Sequence, residues 1–373
     1  MILTVFLAVA TGLSTSGQDW RWDWHQWSKD HTVWPSPEPR SDTLTLFFIG
    51  DVMMHSAQIG KPLGPFLEAL KIRAQEADAA IANMEFTLAG KPHTGYPSFS
   101  APDSVASYMA SLGFDVFLCA NNHILDKGRK GLERTISQYE AMPGVQYTGV
   151  SLSEKQDSLH NPLILRLKGF RIALVNFTYG TNCGPAEGWP KVNYLRKDEI
   201  LRAIARARRA GCDYIIALPH WGEEYKLRHS QRQEETARWL AESGADLIIG
   251  THPHVVQDSC IIRTANGRTV PVFYSLGNAV SNMSATNTQL ELALTVKLTH
   301  HLMGQTSLES IKAEYLWCSR PGALIGNYKT LPISEYIGRR SEWLDPSDYD
   351  HMLKTLDNVK NITKVIDEAQ DYD

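Results

Sequence analysis

Short apolar runs that each end in a cluster of acidic, amide or imidazole side chains recur along this chain, and helical patterns stand between them. This alternation constrains the fold more than any other feature. Leu44 to Ile49 reads as a strand, Pro65 to Ala77 as a helix, Ala79 to Ala82 as a strand, Ser104 to Leu112 as a helix, Val116 to Ala120 as a strand and Gly131 to Ala141 as a helix. A hairpin follows, Leu163 to Leu167 and Arg171 to Phe177 around Lys168 and Gly169. Helices over Asp198 to Ala210 and Glu234 to Ser243 then separate strands at Tyr214 to Leu218, Leu247 to Ile249 and Val272 to Tyr274. Strands that lack a polar face are buried on both sides, and their alternation with helices implies an α/β chain. Beyond Gln289 the pattern shifts to strands, Leu290 to Leu298 and Lys312 to Trp317, and closes with an acidic amphipathic stretch from Tyr349.

With 373 residues, 43% of them hydrophobic and 21% charged, the chain can bury a large core and is not disordered throughout. A net charge of -4 supplies no basic footprint, so nucleic acid is not an expected partner. Ile2 to Leu13 is apolar and runs into Ser14, Thr15, Ser16 and Gly17. That pattern predicts a secretory signal over residues 1–17 and export to the periplasm or cell surface. The run is too short for a transmembrane helix. Residues 18–43, with Trp20, Trp22, Trp24, Trp27 and Trp34 followed by Pro35, Pro37 and Pro39, read as a linker. Five scattered cysteines without CxxC spacing indicate neither a disulfide framework nor a thiolate zinc site.

Each polar cluster has an ordinary structural reading as well as a chemical one. Asp51 can cap an element, Asn83 and Glu85 can be solvated loop residues, and Asn121 and Asn122 suit a turn. His123 with Asp126 three residues on suggests an imidazole oriented by a carboxylate for proton transfer. His220, Glu223 and Glu224 follow the Tyr214 to Leu218 run. In an extended segment His252 and His254 point the same way, and Pro253 between them favours a stiff loop at the strand's exit. Packing alone does not place so many polar groups at strand ends, where α/β sheets gather ligands. The nitrogen and oxygen donors suit Mn, Fe or Zn, and they exceed what one tetrahedral ion needs, so a two-metal hydrolytic site is expected. The basic stretch from Arg196 to Arg209 is a further candidate, as a dock for an acidic polymer.

The ordered motifs GDVMMH, NMEF, ANNHILDKG, HWGEEY, GTHPHVVQ and YSLGN resemble the CapA family of poly-gamma-glutamate capsule biosynthesis proteins, a branch of the calcineurin-like metallophosphoesterase superfamily. The resemblance runs from about Leu44 to Leu298. It implies a two-sheet αββα sandwich over residues 44–300, with 301–373 as an extension packed on it. It also implies that Asp51 and His254 hold a first metal, that Asn122, His220 and His252 hold a second, and that Glu85 bridges them. His123 would be the proton donor, supported by Asp126; His55, Asn83, Glu223 and Asn278 would contact substrate. Met53 stands where the superfamily places a histidine, which leaves one or two divalent ions as the expectation. Two functions follow from the likeness. One is an exported metal-dependent hydrolase or transferase acting on gamma-glutamyl amide or phosphoester bonds. The other is a noncatalytic capsule assembly or export component that binds an acidic polymer; either would work beside capsule synthesis or export partners.

Overall fold

Along the strand Thr43–Val52 the side chains divide between two cores, and this division sets the layering. Leu44, Leu46 and Phe48 enter one core while Phe47 and Ile49 enter another, as a period of two requires. The structure, a computed structural model, describes residues 43–300 and 305–366. The expected signal and Trp-rich linker lie outside the described residues.

Two sheets carry the fold. The first runs Lys329–Pro332, Thr306–Ser319, Leu290–His300, Thr43–Val52, Ala79–Met84, Val116–Leu118, Gln146–Thr148, with Asn278–Val280 also paired to Thr43–Val52. The second runs Ser259–Arg263, Thr269–Phe273, Leu247–Ile249, Tyr214–His220, Phe170–Thr178, Leu163–Leu167. Leu44, Leu46, Phe48, Ile81 and Leu118 of the first sheet meet Ile172, Leu174, Ile216, Leu218 and Leu247 of the second in one apolar core. Outside the first sheet lie the helices Asp103–Leu112 and Gly128–Glu140, through Val105, Met109, Leu132 and Ile136. Outside the second lie Lys197–Arg209 and Gln231–Ser243, through Ile200, Ile204, Ala237 and Leu240. The expected αββα sandwich is therefore the observed architecture.

Local chemistry fixes several boundaries that periodicity missed. The expected helix over Pro65 to Ala77 is a 3-10 turn at Glu68–Leu70 and a short helix at Lys71–Glu76. Pro62, Gly64 and Pro65 disfavour helix before that point. Gln231–Ser243 begins earlier than its apolar pattern, because Ser230 and Gln233 form a capping box. The strand Thr306–Ser319 extends well before Lys312, since its first half leaves polar side chains partly exposed.

Parallel strands dominate the centre of both sheets, so their carboxyl ends share one edge. Asn176 ties the sheets together there. From the second sheet its Oδ1 accepts hydrogen bonds from the backbone nitrogens of Ala120 at 2.9 Å and Cys119 at 3.2 Å, just past the first sheet's Val116–Leu118 strand. Its Nδ2 donates to the Leu218 carbonyl at 2.9 Å. Gly149 leaves room for this amide: its φ is +96°, and a Cβ there would stand 2.2 Å from Asn176 Oδ1. Asn176→Ala strands the buried Ala120 N–H beside the Asn121 to His123 turn and removes the amide donor to the Leu218 carbonyl, while Cys119 N keeps the Thr148 carbonyl. We expect a loss of about 3 kcal/mol in urea unfolding; a loss below about 0.5 kcal/mol would show that the amide is dispensable.

Glu291, buried in the Leu290–His300 strand, accepts from Gly50 N at 2.7 Å. Burial pushes its carboxyl up to about 8, against the Gly50 hydrogen bond and with help from Asp51. The folded chain thus keeps a proton that the unfolded chain releases near 4.5. Stability from this group is full below that value and falls as pH rises towards about 8. Glu291→Gln should gain on the wild type as pH rises, by on the order of 3 kcal/mol at alkaline pH. Thermal melts at pH 5 and pH 8.5 measure the difference, and a pH-independent gain would contradict the assignment.

Candidate metal centre

Each residue of the centre leaves a sheet at the shared edge. Asp51 closes Thr43–Val52, Glu85 follows Ala79–Met84, and Asn122 and His123 follow Val116–Leu118. His220 ends Tyr214–His220, while His252 and His254 follow Leu247–Ile249. The backbone ladder reaches the ligands themselves, because His220 pairs with Thr178 on one side and bridges Thr251 on the other.

The HxH loop converges by a different route from the one expected. His252 has φ +102° and His254 φ +58°, so neither is extended, and both occupy a region that residues with a Cβ seldom adopt. Surrounding hydrogen bonds hold the turn. His252 N donates to Asp51 Oδ2 at 3.2 Å, Tyr225 N donates to the Pro253 carbonyl at 2.9 Å, and Asn278 Nδ2 donates to the His254 carbonyl at 3.3 Å.

Hydrogen-bond roles orient the rings. Asn278 Nδ2 is committed to two carbonyls, so its Oδ1 faces His254 Nδ1 at 3.0 Å and that nitrogen carries the proton. His254 Nε2 is then free to ligate, 3.8 Å from Glu85 Oε1. His220 Nδ1 lies 3.0 Å from Thr251 Oγ1, and its Nε2 lies 2.8 Å from Asn122 Oδ1 and 3.7 Å from Glu85 Oε1. Asp51 Oδ1 accepts from Asn83 Nδ2 at 2.7 Å, and its Oδ2 stands 3.4 Å from His254 Nδ1. His123 Nδ1 meets Asp126 Oδ2 at 2.7 Å, while its Nε2 points to Glu85 Oε1 at 4.0 Å.

Electrostatics match a cation among these groups. Both Glu85 oxygens and His252 Nδ1 are buried without a hydrogen-bond partner. Burial, then Asp51 and Glu224, pushes the Glu85 carboxyl well above the usual range, the cost of a desolvated anion with no counter-charge. Burial and neighbouring imidazoles push His220 and His252 well below their ordinary value, which keeps them neutral as metal ligands must be. Among the described residues, ligand atoms of Glu85, His252 and His254 fall within 4.8 Å of one another, as do those of Asp51, Glu85 and His220. Both groups share Glu85.

Other expected residues fall into distinct places. Asn83 and Asn278 are buried behind Asp51 and His254. Met53 packs in the apolar core. His55 is half-buried beside the centre, its ring 5.3 Å edge-on from Phe99, which lies 4.6 Å from His123. Glu223 is exposed and lines a groove of about 140 Å³ with Tyr179 and Trp221, whereas its neighbour Glu224 is the carboxylate whose charge acts on Glu85. On the basic helix Arg196 pairs with Glu199, Arg202 with Asp198 and Arg206 with Asp157, while Lys197, Arg208 and Arg209 are exposed. Sequence reasoning missed Thr251 behind His220, Asn182 hydrogen-bonded to Asn122, and Tyr179, whose ring lies 4.6 Å from that of His252. Thr251 adjoins the HxH motif and was within reach; Asn182 and Tyr179 stand in a segment without a motif.

Comparison with known proteins adds the following. The chain is 28% identical over 276 residues to the capsule biosynthesis protein CapA of Bacillus anthracis, a match covering 70% of this chain and 65% of that protein. It is 27% identical over 263 residues to the PGA biosynthesis protein CapA of Bacillus subtilis (strain 168), covering 66% of each. The chain thus spans slightly less than two thirds of these relatives. Among solved structures it is similar to a 5'-nucleotidase precursor from Thermus thermophilus, at 15% identity and TM-score 0.48, over 86% of this chain and 59% of that one. The family model described as bacterial capsule synthesis protein PGA_cap matches residues 45–283. Those residues include every candidate ligand, and the chain belongs to the PGA_cap family of bacterial capsule synthesis proteins.

Proposed function

We propose that this chain is a metal-dependent hydrolase or transferase acting on gamma-glutamyl amide or phosphoester bonds in capsule polymer metabolism, exported to the periplasm or cell surface. One observation carries the reading: a wholly buried carboxylate, Glu85, has both oxygens unpartnered and the imidazoles of His220 and His254 at 3.7 and 3.8 Å. Asp51, Glu85, Asn122, His220, His252 and His254 would hold one or two divalent ions of the Mn, Fe or Zn class. Such an ion supplies charge that polarises an amide or phosphoryl oxygen and acidifies water. His123 would protonate the leaving group from Nε2, a role supported by Asp126 2.7 Å from its Nδ1. Asn83 and Asn278, hydrogen-bonded to Asp51 and His254, would position these two ligands. Export rests on the apolar N-terminal run, and among the described residues no helix is long and apolar enough to cross a membrane. Family membership and relatives named for capsule and PGA biosynthesis support an acidic polymer or gamma-glutamyl peptide as substrate, and capsule machinery as partner.

A second reading has one observation behind it. Met53 in the core removes a donor from the Asp51 side, which favours a single retained ion in a noncatalytic assembly or export component that binds the polymer.

Glu85→Gln separates a metal ligand from a structural carboxylate without any assay of activity. In chelator-treated protein the neutral amide removes a buried-charge penalty, so the variant should melt no lower than wild type. With divalent ion present the order should reverse, because wild type gains up to about 4 kcal/mol from an ion at a thousandfold its Kd. Equal destabilisation under both conditions would remove Glu85 from the ligand set.

His123→Ala should keep its metal by elemental analysis yet lose roughly 100-fold in single-turnover rate. Asp126→Asn should lose less, since it disturbs the ring without deleting it. The substrate comes from a screen of gamma-glutamyl peptides, muropeptides and phosphoesters. Lost metal in His123→Ala would make the imidazole a ligand, and wild-type rates with full metal would exclude it from the reaction.

A further inference from the structure

Beyond the residues matched by the family model, the strand Thr306–Ser319 brings an unpaired guanidinium to the side of the metal centre. Arg320 follows the last residue of that strand and is only partly exposed. Its side chain makes no hydrogen bond or ion pair among the described residues, and its Nε is buried without a partner. Arginines in comparable half-buried places are tied: Arg73 to Glu314, Arg206 to Asp157 and Arg268 to Asp246. A partly desolvated guanidinium with no counter-charge is costly, and it is met where an anion arrives from outside.

A chain of contacts leads from Cys318, two residues before Arg320, to His55. Cys318 Sγ contacts the Ser281 carbonyl at 3.6 Å, Tyr328 donates from its hydroxyl to Asn282 Oδ1 at 2.7 Å, and Asn282 N donates to His55 Nδ1 at 3.2 Å. Gln58 Oε1 accepts from His55 N at 2.7 Å, leaving Gln58 Nε2 as another buried donor without a partner. The Arg320 charge is felt at His55, where burial chiefly, with His254, His123 and Arg320 adding, holds the imidazole down to about 4. It is also felt at Tyr328 and Cys318. Arg320 therefore lies close enough to His55, Tyr328 and Cys318 for its charge to act on all three, and His55 stands beside the candidate centre.

We propose that Arg320 is a specificity-determining residue that pairs with a carboxylate of an acidic amide substrate and so presents the neighbouring amide to the metal centre. The assignment rests on the hydrolase or transferase reading for its substrate class. A carboxylate suits the planar fork of the guanidinium, which can hold both oxygens at once. A polymer bearing one carboxylate per unit would be gripped beside each amide it offers.

The test uses the full-length, metal-loaded protein and an oligomer of glutamate joined through side-chain amides, with the same oligomer methyl-esterified at its carboxylates as control. Calorimetry on wild type and on Arg320→Ala and Arg320→Lys measures binding, and kinetics follow wherever turnover is found. We expect Arg320→Ala to weaken the acid oligomer on the order of 10- to 100-fold, to leave the ester and the metal content unchanged, and to raise KM more than it lowers kcat. Arg320→Lys should restore part of the affinity, keeping the charge but not the fork. Equal losses for acid and ester, an unchanged affinity for the acid, or an oligomer that does not bind wild type would each overturn the proposal. Carboxylate-dependent binding without turnover would uphold the anchor and defeat the hydrolase reading; turnover with an unaltered KM in Arg320→Ala would do the reverse.

Discussion

The amide of Asn176 spans the two sheets at the edge where the ligand-bearing loops leave them, and the geometry of the centre depends on that crossing. Away from this edge the sheets meet through Leu, Ile, Val and Phe side chains, which hold them together without fixing their relative position to a fraction of an ångström. Hydrogen bonds from Cys119 and Ala120 to one amide oxygen, with Leu218 on the amide nitrogen, supply the missing direction. Asn122 and His220 come from opposite sheets yet lie 2.8 Å apart, a distance that a small slip between the layers would destroy.

Within that frame the centre is built to be incomplete as a purely organic structure. Glu85, Asp51 and the imidazoles of His220 and His254 crowd together at 3.4 to 3.8 Å, too far for good hydrogen bonds and close enough to share a small cation. The backbone contributes as well: His252 and His254 hold left-handed conformations that cost free energy, and the ladder to Asp51 and Asn278 keeps them there. Stability is spent where the ligands converge and recovered in the apolar layers on either side.

Much of this was legible in the sequence, because strand period and apolar runs locate the carboxyl ends of strands and the polar residues that follow them. The α/β alternation was legible in the apolar runs themselves, whereas the two-sheet sandwich was implied only by the family resemblance. Asp126 behind His123 was legible too, three residues away on a turn. The HxH pair was found for a reason that does not hold, since its rings meet through left-handed turns and not through extended backbone. Asn176 acts through partners remote in sequence, so no local pattern betrays it. Glu223 and Glu224 are adjacent, and only the course of the loop decides which of them the centre senses.

The pairing of His220 with Thr178 on one flank and Thr251 on the other has a consequence for how the protein can vary in length. A strand's side chains alternate between faces, so adding or removing one residue within Tyr214–His220 would turn the imidazole to the opposite side of the sheet and bring a neighbour into its place. Insertions can therefore accumulate only in connections that return to the same register, such as the Thr181 to Pro190 loop, and a lineage that altered a strand by one residue would lose the ligand while keeping the fold.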